Sequence, residues 1–136
     1  MVRNDAAISY GGETVLVADD DPIVRDMLYN LLTEFGYSVI LASNGQEAVD
    51  KYKQHGSTIH LVLSDIVMPN KDGVSVYKEI KEMQPDAVIL LMSGYYDPKT
   101  FNIAEGMQVI PKPFSIDVLI RTIRSSLDKE CNVYET

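Results

Sequence analysis

The chain has 136 residues, 46% of them apolar, which is the length of one domain with material for a real core. It holds no run of 18 apolar residues and no signal-like stretch after Met1, so neither a membrane span nor a secretory leader is expected. One cysteine, Cys131, excludes an intramolecular disulfide and fits a reducing cytoplasm, and a formal charge of −8 with no basic stripe speaks against direct nucleic-acid binding.

Residues 1–12 read as a tail or linker, 13–130 as the folded domain and 131–136 as a second tail. The first strand is Thr14–Ala18, apolar on both faces as a central parallel strand must be. It runs into Asp19-Asp20-Asp21. Asp21 and Pro22 are the N-cap and first residue of a helix. Ile23, Val24, Met27, Leu28, Leu31, Leu32 and Phe35 recur along it at helical spacing, and Gly36 ends it. Ser38–Ala42 is a second strand. Ser43, with Gln46 three residues on, opens a second helix as a capping box, and this helix reaches about Gln54. A third strand, 61–64, leads into Asp65 and then Ile66-Val67-Met68-Pro69-Asn70-Lys71-Asp72-Gly73, in which Asp72-Gly73 reads as a turn. Val76, Tyr77, Ile80 and Met83 mark a third helix, broken by Pro85-Asp86. The fourth strand, 87–92, is apolar throughout and therefore central; it runs into Ser93-Gly94. Asp97-Pro98 caps a short fourth helix reaching about Glu105. A fifth, shorter strand, 108–110, precedes Pro111-Lys112-Pro113-Phe114. Ser115 caps a last helix with Ile116, Leu119, Ile120, Ile123 and Leu127 facing inward.

Five strand–helix units in succession predict an α/β fold: a doubly wound five-stranded parallel sheet, flavodoxin-like, with right-handed crossovers and strand order 2-1-3-4-5. Ligands of such sheets sit at the carboxyl ends of the strands, at the switch point between strands one and three. Asp19, Asp20 and Asp65 fall there, with Ser93 and Lys112 ending the neighbouring strands. Crowded carboxylates raise one another's pKa unless a cation joins them. Mg²⁺ takes hard oxygen ligands and keeps several waters, and one or two of these carboxylates with a backbone carbonyl near Val67 suit it. A carboxylate can attack phosphorus and hold the phosphoryl group as an acyl phosphate. The developing charge then needs a cation and a donor, which Lys112 and Ser93 can supply. Each residue alone has a plain structural role, as a cap, a turn or a solvated lysine; four signals at successive strand ends are hard to explain as capping. His55 and His60 lack a third ligand for zinc. Tyr95-Tyr96 reads as a half-buried pair or a docking surface, and no phosphate-binding Gly-rich loop occurs.

The segments Val15-Leu16-Val17-Ala18-Asp19-Asp20-Asp21-Pro22, Leu61 to Pro69 with Asp72-Gly73, Met92-Ser93-Gly94 and Lys112-Pro113-Phe114 resemble the receiver domain of two-component response regulators, over about residues 13–130. The resemblance implies that Asp65 accepts a phosphoryl group from a phosphohistidine. It implies that Asp20 binds Mg²⁺ directly and Asp19 directly or through water, that Ser93 hydrogen-bonds the phosphoryl group, that Lys112 pairs with it, and that Lys112-Pro113 is cis. The expected partners are a histidine kinase or histidine phosphotransfer domain and a downstream protein or linked effector. The expected molecule is a cytoplasmic switch, monomeric or weakly dimeric, and no turnover enzyme. A phosphorylation-independent docking domain is the alternative; an aspartyl phosphatase would want an acid at Val67. Gly11-Gly12-Glu13-Thr14-Val15-Leu16-Val17 resembles the junction before the receivers of hybrid histidine kinases, which points to a domain excised from a longer chain, with a stand-alone regulator as the alternative.

Four positions depart from the family or vary within it. Val109 stands where the family usually has Tyr or Phe, and valine cannot make that ring's inward swing. His60 replaces a frequent Asp or Pro and is expected to be structural. Val67 and Tyr95 occupy the positions that set phosphate lifetime, and neither can orient attacking water. Slow self-dephosphorylation follows, with Tyr95→Glu expected to speed it.

Overall fold

Strands that are apolar on both faces need cover on both sides, and the sheet is built that way. The computed structural model describes residues 11–94, 103 and 106–132. Its elements are β1 (Thr14–Ala18), α1 (Pro22–Glu34), β2 (Ser38–Ala42), α2 (Gly45–His55), β3 (Leu61–Asp65), α3 (Gly73–Met83), β4 (Ile89–Ser93), β5 (Gln108–Pro111) and α4 (Ile116–Asn132). The strands pair in parallel in the order β2-β1-β3-β4-β5, as expected.

The two-residue period of the strands sorts the core into two layers. Leu16, Val62, Ile89 and Leu91 point to one face, where Val49 and Tyr52 of α2 and Val76 and Ile80 of α3 cover them. Val15, Val17, Leu63, Leu90 and Met92 point to the other, under Leu28 and Leu32 of α1 and Leu119, Ile120, Ile123 and Leu127 of α4. Each such aliphatic side chain contributes about 1.5–3 kcal/mol on burial. Ile116, expected inward, is 57% exposed, because the apolar stripe of α4 begins beyond the core that it covers. Among the described residues no helix is long and apolar enough to cross a membrane.

Asp21 caps α1, its Oδ1 accepting from the Ile23 N–H at 2.9 Å with Pro22 in the first turn. Gly36 follows the helix at φ 98°, a conformation that glycine takes without strain. The second helix starts later than the capping-box pattern has it. Asn44, not Ser43, is the cap, its Oδ1 accepting from the Glu47 N–H at 2.8 Å. Glu47, not Gln46, reaches back to the backbone N–H and hydroxyl of Ser43. Two overlapping patterns compete here, and a carboxylate accepts more strongly than an amide.

Asp72-Gly73 is a helix start and not a turn. Asp72 caps α3, its Oδ1 accepting from the Ser75 N–H at 2.9 Å, and Gly73 is the first helical residue. Strands β3 and β5 each extend one residue past the expected ends. Strand β4 begins two residues late, because Ala87 N–H turns back onto the Gln84 carbonyl at 3.0 Å. Lys112-Pro113 is cis. The expected fourth helix, apart from Ile103, and Tyr95-Tyr96 lie outside the described residues.

Candidate functional site

Parallel strands of similar length end together, so each delivers its next residue to one edge of the sheet. Ala18 pairs with Ser64, which brings Asp19 and Asp65 level on adjacent strands. Asp65 pairs with Met92 and Ser93 with Pro111, which sets Ser93 and Lys112 in the next places. Lys112 N–H donates to the Ser93 carbonyl at 2.8 Å and ties these two together.

Asp19, Asp20 and Asp65 each offer a carboxylate oxygen, all within 4.8 Å of one another. Asp19 and Asp65 are buried, while Asp20 is exposed at the rim. Lys112 Nζ donates to Asp19 Oδ2 at 2.9 Å and to Asp65 Oδ2 at 3.3 Å. Asp19 Oδ1 accepts from the Asp21 N–H at 2.9 Å. Beyond Asp65, the Ile66 N–H donates to the Met92 carbonyl at 2.9 Å and the Gly73 N–H to the Ile66 carbonyl at 2.8 Å. Loop 66–72 therefore closes back onto β3, with Met68 packed in the core and Val67 about half exposed. The Ser93 hydroxyl is buried and has no hydrogen-bond partner among the described residues. Such an orphan costs roughly 1–3 kcal/mol, which an arriving acceptor recovers.

Burial pushes the Asp65 carboxyl above the ordinary carboxylate range; the Lys112 ammonium opposes this and the Asp19 charge adds to it. Burial draws Lys112 down, but the hydrogen bond to Asp19 and the charges of Asp65 and Asp19 outweigh it, so the amine ends above the usual lysine range. Three carboxylates facing this ammonium leave an excess of negative charge. A divalent cation would balance it. Buried carboxylates with an exposed one at the rim fit Mg²⁺, which binds oxygen and keeps part of its water. Asp19, Asp20, Asp65, Ser93 and Lys112 are thus all gathered at one strand-end edge.

Residues 15–124 match the response regulator receiver domain. The chain belongs to this family. It is 33% identical over 123 residues to the sensor kinase CckA of Brucella abortus, covering 88% of this chain and 13% of that protein. It is 36% identical over 118 residues to the chemotaxis protein CheY of Bacillus subtilis, covering 84% of this chain and 97% of that one. The chain thus spans about an eighth of one relative and nearly all of the other. The solved response regulator TrrA of Thermotoga maritima, in complex with Mg²⁺ and BeF, aligns with a TM-score of 0.76 at 31% identity over 84% of this chain and 98% of that one.

This receiver domain of two-component systems also uses one residue that no sequence pattern singles out, Arg25, and one that reads in the sequence only as part of a turn, Gly73. Arg25 Nη1 donates to the Asp19 carbonyl at 2.9 Å, so the first turn of α1 holds the exit of β1. No periodicity signals that contact. Gly73 lets α3 start against the acceptor strand: a Cβ there would lie 2.3 Å from the Asp65 carbonyl oxygen. The signal was present, but Asp-Gly has a commoner meaning as a turn. His60 is structural, as expected; its Nδ1 accepts from the Thr14 N–H at 3.0 Å. Val109 is half-buried, pairs with Leu91 and packs against the α2–α3 core layer.

Proposed function

We propose that residues 13–130 form a phosphoacceptor switch in which Asp65 receives a phosphoryl group. The observation that carries this is one constellation: three carboxylate oxygens within 4.8 Å, the Lys112 ammonium on two of those carboxylates, and at the end of the neighbouring strand a buried Ser93 hydroxyl with no hydrogen-bond partner among the described residues. An Asp65 oxygen attacks the phosphorus of a phosphohistidine on a histidine kinase or histidine phosphotransfer domain. The O–P bond forms as the N–P bond breaks, the electron pair stays on the imidazole nitrogen, and Asp65 becomes an acyl phosphate. Lys112 pairs with the transferred group and Ser93 donates to one of its oxygens. Asp19, Asp20, Asp65 and the backbone carbonyl of Val67 hold Mg²⁺, which when bound neutralises charge on the phosphoryl oxygens. TrrA, solved with Mg²⁺ and BeF, supports that assignment by likeness.

The modified state shifts a population between two existing conformations and so changes which cytoplasmic partner or linked effector is bound. The chain handles its own phosphate and turns over no separate substrate. Incubation with Mg²⁺ and acetyl phosphate, followed by intact-mass measurement, tests this. One added phosphate that disappears in Asp65→Asn is the expected result. No added mass would favour the alternative, a phosphorylation-independent docking domain, for which Val109 is the supporting observation. Val67 offers no group to orient water, so the phosphate is expected to be long-lived.

A further inference from the structure

Gly45 opens α2, and nothing in the chemistry above uses it. It is buried, and a Cβ on it would lie 1.9 Å from the carbonyl oxygen of Lys71, 2.7 Å from its carbonyl carbon and 2.8 Å from its Cβ. Unbonded carbon and oxygen stay about 3 Å or more apart, so helix and loop meet here backbone to backbone, at a distance that only glycine permits. The loop is the one that leaves Asp65 and carries Val67. Among the described residues its hydrogen bonds and ion pair join it to β4, to α3 or to itself, and Met68 packs in the core layer under α2 and α3. The Gly73 N–H binds the Ile66 carbonyl, Asp72 caps α3, Lys71 pairs with Glu79, and the Lys71 N–H binds the Pro69 carbonyl. Gly45 supplies the backbone-to-backbone contact with α2.

The two sides of that contact are unequal. Helix α2 is capped by Asn44, braced by Glu47 on Ser43, and anchored in the core through Ala48, Val49 and Tyr52. Pro69 and Asn70 of the loop are exposed, and Asn70 holds φ 70°. A side chain at position 45 is therefore expected to displace the loop rather than the helix, by the roughly 1 Å that restores an ordinary carbon–oxygen contact with Lys71.

We propose that Gly45 is a positioning residue for cation binding: its missing side chain lets α2 buttress loop 66–72 and sets where the Val67 carbonyl stands relative to Asp19, Asp20 and Asp65. This rests on the phosphoacceptor assignment above and specifies what holds its metal loop in register. Residues that orient metal ligands without touching the metal typically matter by 10–100-fold in affinity.

The test titrates Mg²⁺ into the ¹⁵N-labelled full chain, wild type and Gly45→Ala, with thermal unfolding measured in Mg²⁺-free buffer. In the wild type, amide signals of 45 and 71 are expected to move together with those of 65–67. Gly45→Ala is expected to unfold cooperatively without Mg²⁺, to need at least about tenfold more Mg²⁺ for half-saturation, and to regain wild-type acetyl-phosphate labelling once Mg²⁺ is raised. Gly12→Ala, where a Cβ meets nothing within 4 Å, is expected to titrate like the wild type. An unchanged Mg²⁺ midpoint in folded Gly45→Ala overturns the proposal, and so does a labelling defect that excess Mg²⁺ leaves in place. Should Gly45→Ala not fold, the wild-type titration decides: signals of 45 and 71 that stay still while those of 65–67 move overturn it. A wild type that does not respond to Mg²⁺ removes the underlying site and this proposal with it, an outcome distinct from a normal wild type beside an indifferent variant.

Discussion

Asp65 is an acid placed where its charge is least welcome, buried and facing two more carboxylates. Removing that charge relieves the crowding. Asp65→Asn is expected to raise the melting temperature in Mg²⁺-free buffer. Added Mg²⁺ should then stabilise the wild type more than the variant, because a ligand that binds the folded state stabilises it by mass action. Paired melting curves with and without Mg²⁺ check both halves; a variant that melts lower without Mg²⁺ would contradict the crowding. Lys112 is the counter-case, a cation held by Asp19 and Asp65. Lys112→Ala should slow acetyl-phosphate labelling of a folded domain by about 100-fold, the order expected when a charge-stabilising donor is lost. These residues were legible in the sequence because each ends an apolar run, and the end of a parallel strand is a defined place. Arg25 and Gly73 were not, because their roles are contacts with backbone that only folding brings near.

Helices in this chain begin where a side chain can accept from the next turn's backbone, and that choice is local. Asp21 and Ser115 act as the sequence has them. Asn44 and Asp72 show the limit: both lie in stretches with two plausible local structures, and neighbouring elements settle which one forms. The α3 start is pressed onto β3 through Gly73, so Asp72 becomes a cap where a free Asp-Gly would turn. Asp72→Ala should cost about 1 kcal/mol by urea denaturation, the usual worth of an N-cap. Because that cap also ends the loop carrying Val67, the variant should bind Mg²⁺ more weakly than its stability loss alone requires. Equal Mg²⁺ midpoints for the variant and the wild type would limit the cap to a structural role.

Across the whole molecule, Glu13 and Arg124 clamp the entrance of the sheet to the last helix, with Nη2 to Oε2 at 2.6 Å and Nη1 to Oε1 at 3.1 Å. The Arg124 hydrogen bond, against some opposing desolvation, lowers the Glu13 carboxyl from 4.5 to about 2. A folded pKa below the unfolded one means that the pair's stabilisation is complete above pH 4.5 and is lost as pH falls toward 2. Glu13→Gln should therefore lower stability at pH 7 by about 1 kcal/mol, given the partial exposure of the pair. The difference from the wild type should vanish by about pH 2 in a series of urea unfolding curves. Nothing in the sequence announces this pair, whose members are 111 residues apart. What the sequence determined by itself was the order of strands and helices, the doubly covered sheet and the acids at its strand ends, because apolar period and chain polarity act over a few residues at a time. What the tertiary structure decided was which distant groups touch: the backbone of Gly45 on that of Lys71, Gly73 on Asp65, the Arg25 side chain on the Asp19 carbonyl and the Arg124 side chain on that of Glu13. Close packing has no period, so these contacts exist only once the layers have met.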